Sequence, residues 1–184
     1  MDNAARRLQD EIHQFLRDEV FMLTLMAVTQ RGQIYAPQST KPEDRDEFRR
    51  ELHKYLDRMA EVYKVRVAEE DHLRNIVSLK EELSASCKGL HDERGFRIGS
   101  AQKALNLFLK YLWCLGDIPE PPHCPFDSRI INKLKELPKD AQCSWVQCDN
   151  MEHYKCWVAA ARKKAEESSL SLAEWELVTY NNTP

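Results

Sequence analysis

One segment dictates how the rest of this chain must be arranged. From Ala101 to Leu115, AQKALNLFLKYLWCL, only Gln102, Lys103, Asn106 and Lys110 are strongly polar. A helix apolar over most of its circumference belongs inside a fold, so the other elements have to wrap around this one. At about 100° per residue, Asn106 falls within about 60° of Lys103 and Lys110 within about 20°, giving one polar stripe along a buried helix. A lone lysine there would pack its stem and send its ammonium to water. Three polar positions on one line point instead to a cleft, and a lysine held in low dielectric tends toward the neutral, nucleophilic amine.

Gly116 follows as a helix stop, and then a stiff connection with Pro119, Pro121, Pro122 and Pro125 leads into Phe126-Asp127-Ser128-Arg129. The next run, IINKLKEL, is predicted to be helical, with Asp127 or Ser128 as its N-cap. A helix, a rigid turn and a second helix can return Asp127 to Lys103, 24 residues earlier.

The remaining periodicity is that of an all-α protein. Leu8, Ile12, Phe15, Leu16, Val20, Leu23 and Met26 mark a helix over roughly 4–30. Further helices are predicted over about 43–64 and about 69–88, the latter with a seam of Leu73, Ile76, Val77 and Leu83. Asp149 with Glu152, and Ser171 with Glu174, read as capping boxes opening the last two helices. Lys64-Val65-Arg66-Val67 is the only strand-like stretch. Five glycines and no Asn-Gly or Asp-Gly hairpin turn exclude a β-rich fold. The expected architecture is a compact bundle of about seven helices in one domain, residues 1–184, with the site between two helical lobes. No run of 18 apolar residues is present and the start of the chain is charged, so a cytoplasmic, monomeric protein with no membrane partner is expected.

A lysine-bearing helix followed by a proline-containing connection and an Asp that opens the next helix resembles the helix-hairpin-helix DNA glycosylases. The archaeal 8-oxoguanine glycosylase branch is the most similar, through Gln102-Lys103 and Pro125-Phe126-Asp127-Ser128-Arg129. The likeness spans about 40 residues, and Ile98-Gly99 is followed by Ser100-Ala101-Gln102 where the family's hairpin turn has its lysine two residues on. It implies a bifunctional enzyme that excises a base and then nicks the strand as an AP lyase. Lys103 would attack C1′ and Asp127 would activate the amine, both as catalytic residues. Arg97, Lys110, Arg129 and Lys133 would contact DNA. Gln102, Asn106, Trp113, His123 and Trp175 would form the pocket for a flipped base. The substrate would be a damaged base in repair, or a modified base of phage DNA in defence.

Charge limits this reading to a local footprint. The chain carries −3 overall, but residues 94–139 hold eight Lys and Arg against four Asp and Glu, while 1–93 hold fifteen against nineteen. Arg94, Arg97, Lys110, Arg129, Lys133 and Lys135 could grip a few phosphates, or merely solvate a surface. The six cysteines contain no C-x-x-C, so no cofactor is expected; the rival is zinc or an iron–sulfur cluster on Cys114, Cys124, Cys143 and Cys148 with His123. Two other readings stay open: a non-catalytic helical module binding nucleic acid or protein, and a metal-stapled structural domain.

Overall fold

The computed structural model describes residues 3–32, 34–35, 41–87, 95–135 and 137–182; Arg94 and Lys88 lie outside them. It is all-helical, with α1 (Asn3–Gly32), α2 (Pro42–Val62), α3 (Glu69–Ser86), α4 (Ile98–Leu115), α5 (Ser128–Ile131), α6 (Met151–Glu167) and α7 (Leu172–Asn181). No strand occurs among the described residues, and Lys64–Val67 is turn and irregular chain. No helix among them is long and apolar enough to cross a membrane.

α4 is the spine. Every residue from Ile98 to Lys110 is buried, and α1, α2, α3 and α6 all pack on it. One hydrophobic core runs through the molecule, from Phe48, Leu52 and Leu56 of α2, through Ile76 and Leu79 of α3 and Leu105, Phe108 and Leu109 of α4, to Trp157 and Val158 of α6. A protein of this size folds around such a core because apolar burial has to offset the conformational entropy of the ordered chain.

The N-cap residue of α4, Arg97, makes no side-chain cap, so the start of the helix is satisfied from elsewhere. At the start, Gly99 N donates to Cys148 O at 2.8 Å, Ile98 N donates to Asp149 Oδ1 at 3.2 Å, and Arg97 Nη1 donates to Val146 O at 2.8 Å. Lys80 of α3 pairs with the same Asp149 at 2.8 Å. Gly99 is required by this approach, since a Cβ built on it would lie 1.7 Å from the carbonyl oxygen of Trp145. At the other end Gly116 takes φ 81°, where a side chain is costly, and Asp117 N closes the turn on Leu112 O at 2.9 Å.

Three expectations change. Asp149 is occupied with α4, and Asn150 caps α6 instead, accepting from Glu152 N at 2.8 Å. The predicted helix after Asp127 stops at Ile131, because Leu134 and Leu137 fold back against the core rather than continuing along one helical face. On α1 the core takes Val20, Phe21, Thr24 and Val28, while Leu8, Ile12, Phe15, Leu23 and Met26 are exposed on another side of the helix. The capping box at Ser171 and Glu174 forms as expected, with bonds of 3.1 and 2.9 Å.

Candidate active site

Lys103 Nζ lies 3.0 Å from Asp127 Oδ2, with 8% of the lysine side chain and 16% of the aspartate exposed. The other oxygen of Asp127 is the N-cap of α5, accepting from Arg129 N at 3.0 Å and Ile130 N at 3.2 Å. One carboxylate thus fastens a helix start to a lysine on α4. Burial lowers the lysine's affinity for its proton, with Asp127 opposing that shift. Burial also pushes the Asp127 carboxyl upward, but Lys103 and the two backbone N–H groups outweigh it and leave the group below its ordinary value. The carboxylate form of Asp127 is thus favoured, and the Lys103 ammonium proton is held less firmly than on a surface lysine.

A second pair stands two turns along the same helix. Lys110 Nζ donates to Glu176 Oε2 at 2.6 Å, and Glu176 is 1% exposed. Burial raises the Glu176 carboxyl, opposed by Lys110. Tyr180 of α7 lies under both cations, with Lys110 Nζ 4.6 Å and the Arg129 guanidinium 5.2 Å from its ring centre. Ring faces attract cations, so Tyr180 gathers charge at this wall.

Both pairs line one cavity of about 490 Å³, between α1 and α4 on one side and the 125–129 segment and α7 on the other. Its aromatic surfaces are Tyr111, Trp145 and Tyr180, and Cys114 and Gln30 also reach it. Two of its three cations, Lys103 and Lys110, are paired with its two carboxylates, and the third is Arg129.

The residues expected to read a base are elsewhere. Gln102, Asn106 and His123 are fully buried behind the 124–126 segment and do not line the cavity. Gln102 holds Phe126 and Gly99 backbone groups, and Asn106 Nδ2 donates to Cys124 O at 2.9 Å and to Tyr154 Oη at 3.1 Å. Their amides satisfy buried main chain, which a buried polar side chain near a non-helical loop is well placed to do. Trp175 is core, and Trp113 is half-buried away from the lining. Of the residues expected on DNA, Arg129 reaches the cavity, Lys110 is taken by Glu176, Arg97 is spent on Val146, and Lys133 is exposed. Glu176, Tyr180 and Tyr111 were not foreseen; Glu176 could have been, as an acid between Trp175 and Leu177 on a capped helix.

All six cysteines are free thiols. Burial pushes Cys87 up to about 11, Cys148 up to about 12 and Cys124 well above the ordinary thiol value, so these remain protonated at neutral pH. Among the described residues no three His, Cys, Asp or Glu side chains form a group that could hold a metal ion, so Cys114, Cys124, Cys143 and Cys148 are not one ligand set.

No family model matches the chain, and neither a curated protein nor a solved structure is similar to it.

Proposed function

We propose that the protein is a DNA glycosylase with AP lyase activity, acting on a nucleotide turned out of the duplex into the cavity beside Lys103. The observation that carries this reading is the Lys103–Asp127 pair, 3.0 Å long, at the wall of a polar, aromatic cavity. It joins the two residues whose spacing resembles the glycosylase motif.

In this mechanism Asp127 Oδ2 takes a proton from the Lys103 ammonium, and the freed lone pair attacks C1′ of the deoxyribose. The bond from C1′ to the base breaks, and the base leaves with the electron pair and takes the proton that Asp127 had accepted. Opening of the sugar ring then gives the imine between Lys103 and C1′. Loss of a C2′ proton expels the 3′ phosphate and nicks the strand. Asp127, ionised again, offsets the positive charge that builds on the sugar. Lys110 and Glu176 present a donor beside an acceptor at the cavity wall, which suits the edge of a base, and Arg129 is placed for a phosphate next to it. Repair of a damaged base and defence against phage DNA with modified bases both use this chemistry.

Borohydride reduction tests it. Wild-type protein should be captured covalently on a duplex with an abasic site and on at least one duplex from a panel of damaged and modified bases. Lys103→Gln should keep the fold, since Asp127 retains its two backbone donors and the amide can still donate to it, and should lose capture entirely. Capture of that variant at the wild-type rate would exclude Lys103 as the nucleophile.

A further inference from the structure

We infer that Glu69, at the N-terminus of α3, is a positioning residue for Asp127: its carboxylate sets the tautomer of His123 and so the direction of an unbroken hydrogen-bond chain ending on Phe126. What Asp127 then does rests on the glycosylase reading; the chain itself does not.

The direction follows from donor and acceptor chemistry. Arg162 clamps Glu69, with Nη1 2.9 Å from Oε1 and Nη2 2.8 Å from Oε2. Those Arg162 bonds and burial act oppositely on the Glu69 carboxyl, and the net effect is to lower it, so it is ionised. An ionised carboxylate only accepts. His123 Nε2, 3.3 Å from Glu69 Oε1, must therefore be the protonated nitrogen and donate to it. Burial holds this imidazole down to about 4, so it is neutral and its Nδ1 has only a lone pair. Tyr154 O–H, 2.7 Å away, must then donate to Nδ1. With its hydrogen committed, the Tyr154 oxygen accepts from Asn106 Nδ2 at 3.1 Å. That fixes the Asn106 amide with its nitrogen toward Cys124 O at 2.9 Å and Gln102 Oε1 at 3.3 Å, its two hydrogens shared among these and the Tyr154 oxygen. Gln102 in turn takes both backbone groups of Phe126, the residue before Asp127.

His72 is consistent with this direction. Asn75 Nδ2 donates to Tyr63 Oη at 3.1 Å, so the Tyr63 hydrogen goes to His72 Nδ1 at 2.6 Å, and the His72 proton sits on Nε2. His72 Nε2 and Asn106 Oδ1 are the two buried side-chain polar atoms without a partner among the described residues. In the assignment just derived the first is a donor and the second an acceptor, so the two atoms are complementary in kind.

The full chain, labelled at histidine nitrogen, tests this by NMR at neutral pH. Wild type should show His123 protonated at Nε2. In Glu69→Gln, Arg162 claims the single amide oxygen, so the NH₂ faces His123 and the proton moves to Nδ1. The Tyr154 hydroxyl then has no acceptor and competes with Asn106 for the same space. The midpoint of Lys103 ammonium titration, which Asp127 holds up, should fall. Borohydride capture on abasic DNA should slow on the order of 10-fold, as for other supporting partners of a reactive group. Glu69→Asp, which keeps a carboxylate, should restore the wild-type tautomer and midpoint. A wild-type His123 carrying its proton on Nδ1 overturns the inference. So does a reversed tautomer in Glu69→Gln with an unmoved Lys103 titration. If Glu69→Gln does not fold, Tyr154→Phe breaks the chain at the hydroxyl, and an unmoved Lys103 midpoint there is equally fatal. If the tautomer and titration behave as stated while no duplex is processed, the glycosylase reading fails and the chain stands.

Discussion

Gln102 grips Phe126 by both of its backbone groups: Nε2 donates to Phe126 O at 2.8 Å, and Oε1 accepts from Phe126 N at 3.1 Å. The amide completes for one non-helical residue the pairing that a strand partner would give, and it does so one residue before Asp127. The Lys103–Asp127 geometry is thus set by the helix residue adjacent to the lysine. Gln102→Ala should leave two buried backbone groups unpaired, costing about 2–4 kcal/mol, and should slow borohydride capture. Gln102→Glu, which can still accept from Phe126 N, should recover part of the capture rate. A Gln102→Ala variant with wild-type stability would show that the 124–126 segment is held by other means.

Asp127→Asn separates the residue's two oxygens. The amide oxygen can still cap α5, but the amide nitrogen cannot balance Lys103. Capture on abasic DNA should fall by roughly 10²-fold, as for loss of an acid–base group. Stability should fall by about 1–3 kcal/mol, because a buried ammonium loses its partner and solvent reaches only part of it. Single-turnover rates and thermal melts on the same sample read both; an unchanged rate would remove Asp127 from the chemistry.

The Lys110–Glu176 pair is more deeply buried, and its energetics have a distinctive signature. Lys110→Met alone strands a carboxylate that is 1% exposed, which should cost about 3–5 kcal/mol. Lys110→Met combined with Glu176→Leu should regain most of that loss, since replacing a buried pair by apolar groups is often neutral. Base release from an intact nucleotide should be lost in the double variant while capture on a pre-formed abasic site persists. A double variant less stable than the single one would contradict the pair as drawn.

Arg129 should act through charge. Arg129→Ala should weaken binding to any duplex and make the salt dependence shallower by about one unit of slope, as loss of one phosphate contact requires. Arg49→Ala, on α2 within the acidic half of the chain, should change neither. Anisotropy titrations across a salt series compare the two; equal effects would place the footprint elsewhere.

His123 predicts the acid limit of stability. Burial lowers its folded-state value to about 4 from an ordinary 6.5, so the unfolded chain binds the proton more readily between those limits. The stabilisation is complete above pH 6.5 and is lost as pH falls toward 4, amounting to roughly 3 kcal/mol. His72, also held down by burial, adds in the same direction. Thermal melts from pH 7 to 4 should be visibly less steep in His123→Gln than in wild type; parallel curves would mean that this imidazole is not kept neutral by the fold.

The polar stripe on α4 was readable because helical geometry relates Lys103, Asn106 and Lys110 without reference to the rest of the chain. The Asp127 cap was readable for the same local reason. What lies opposite the stripe was not. Gln102 and Asn106 share a helix with Lys103, and periodicity cannot say that the 124–126 segment covers them while the cavity opens beside Lys103 and Lys110. Glu176 and Tyr180 come from a helix far along the chain, 66 residues separating Lys110 from Glu176, and their meeting with Lys110 and Arg129 is a matter of packing. α1 misled in another way: its apolar residues are helically spaced on two sides, and only the tertiary structure selects Val20, Phe21 and Val28 for the core.

The contact between Gly99 and the Trp145 carbonyl has a bearing on how this cavity could change over time. Tyr111, Tyr180 and Leu107 are placed by their own side chains on helices, so exchanging them reshapes the lining one surface at a time. Trp145 is placed by main chain lying against main chain, at a distance where any Cβ on residue 99 would collide with it. The shape of the lining can therefore drift through the helical part of the wall while the Trp145 side stays where it is, a fixed edge against which new pockets would be measured.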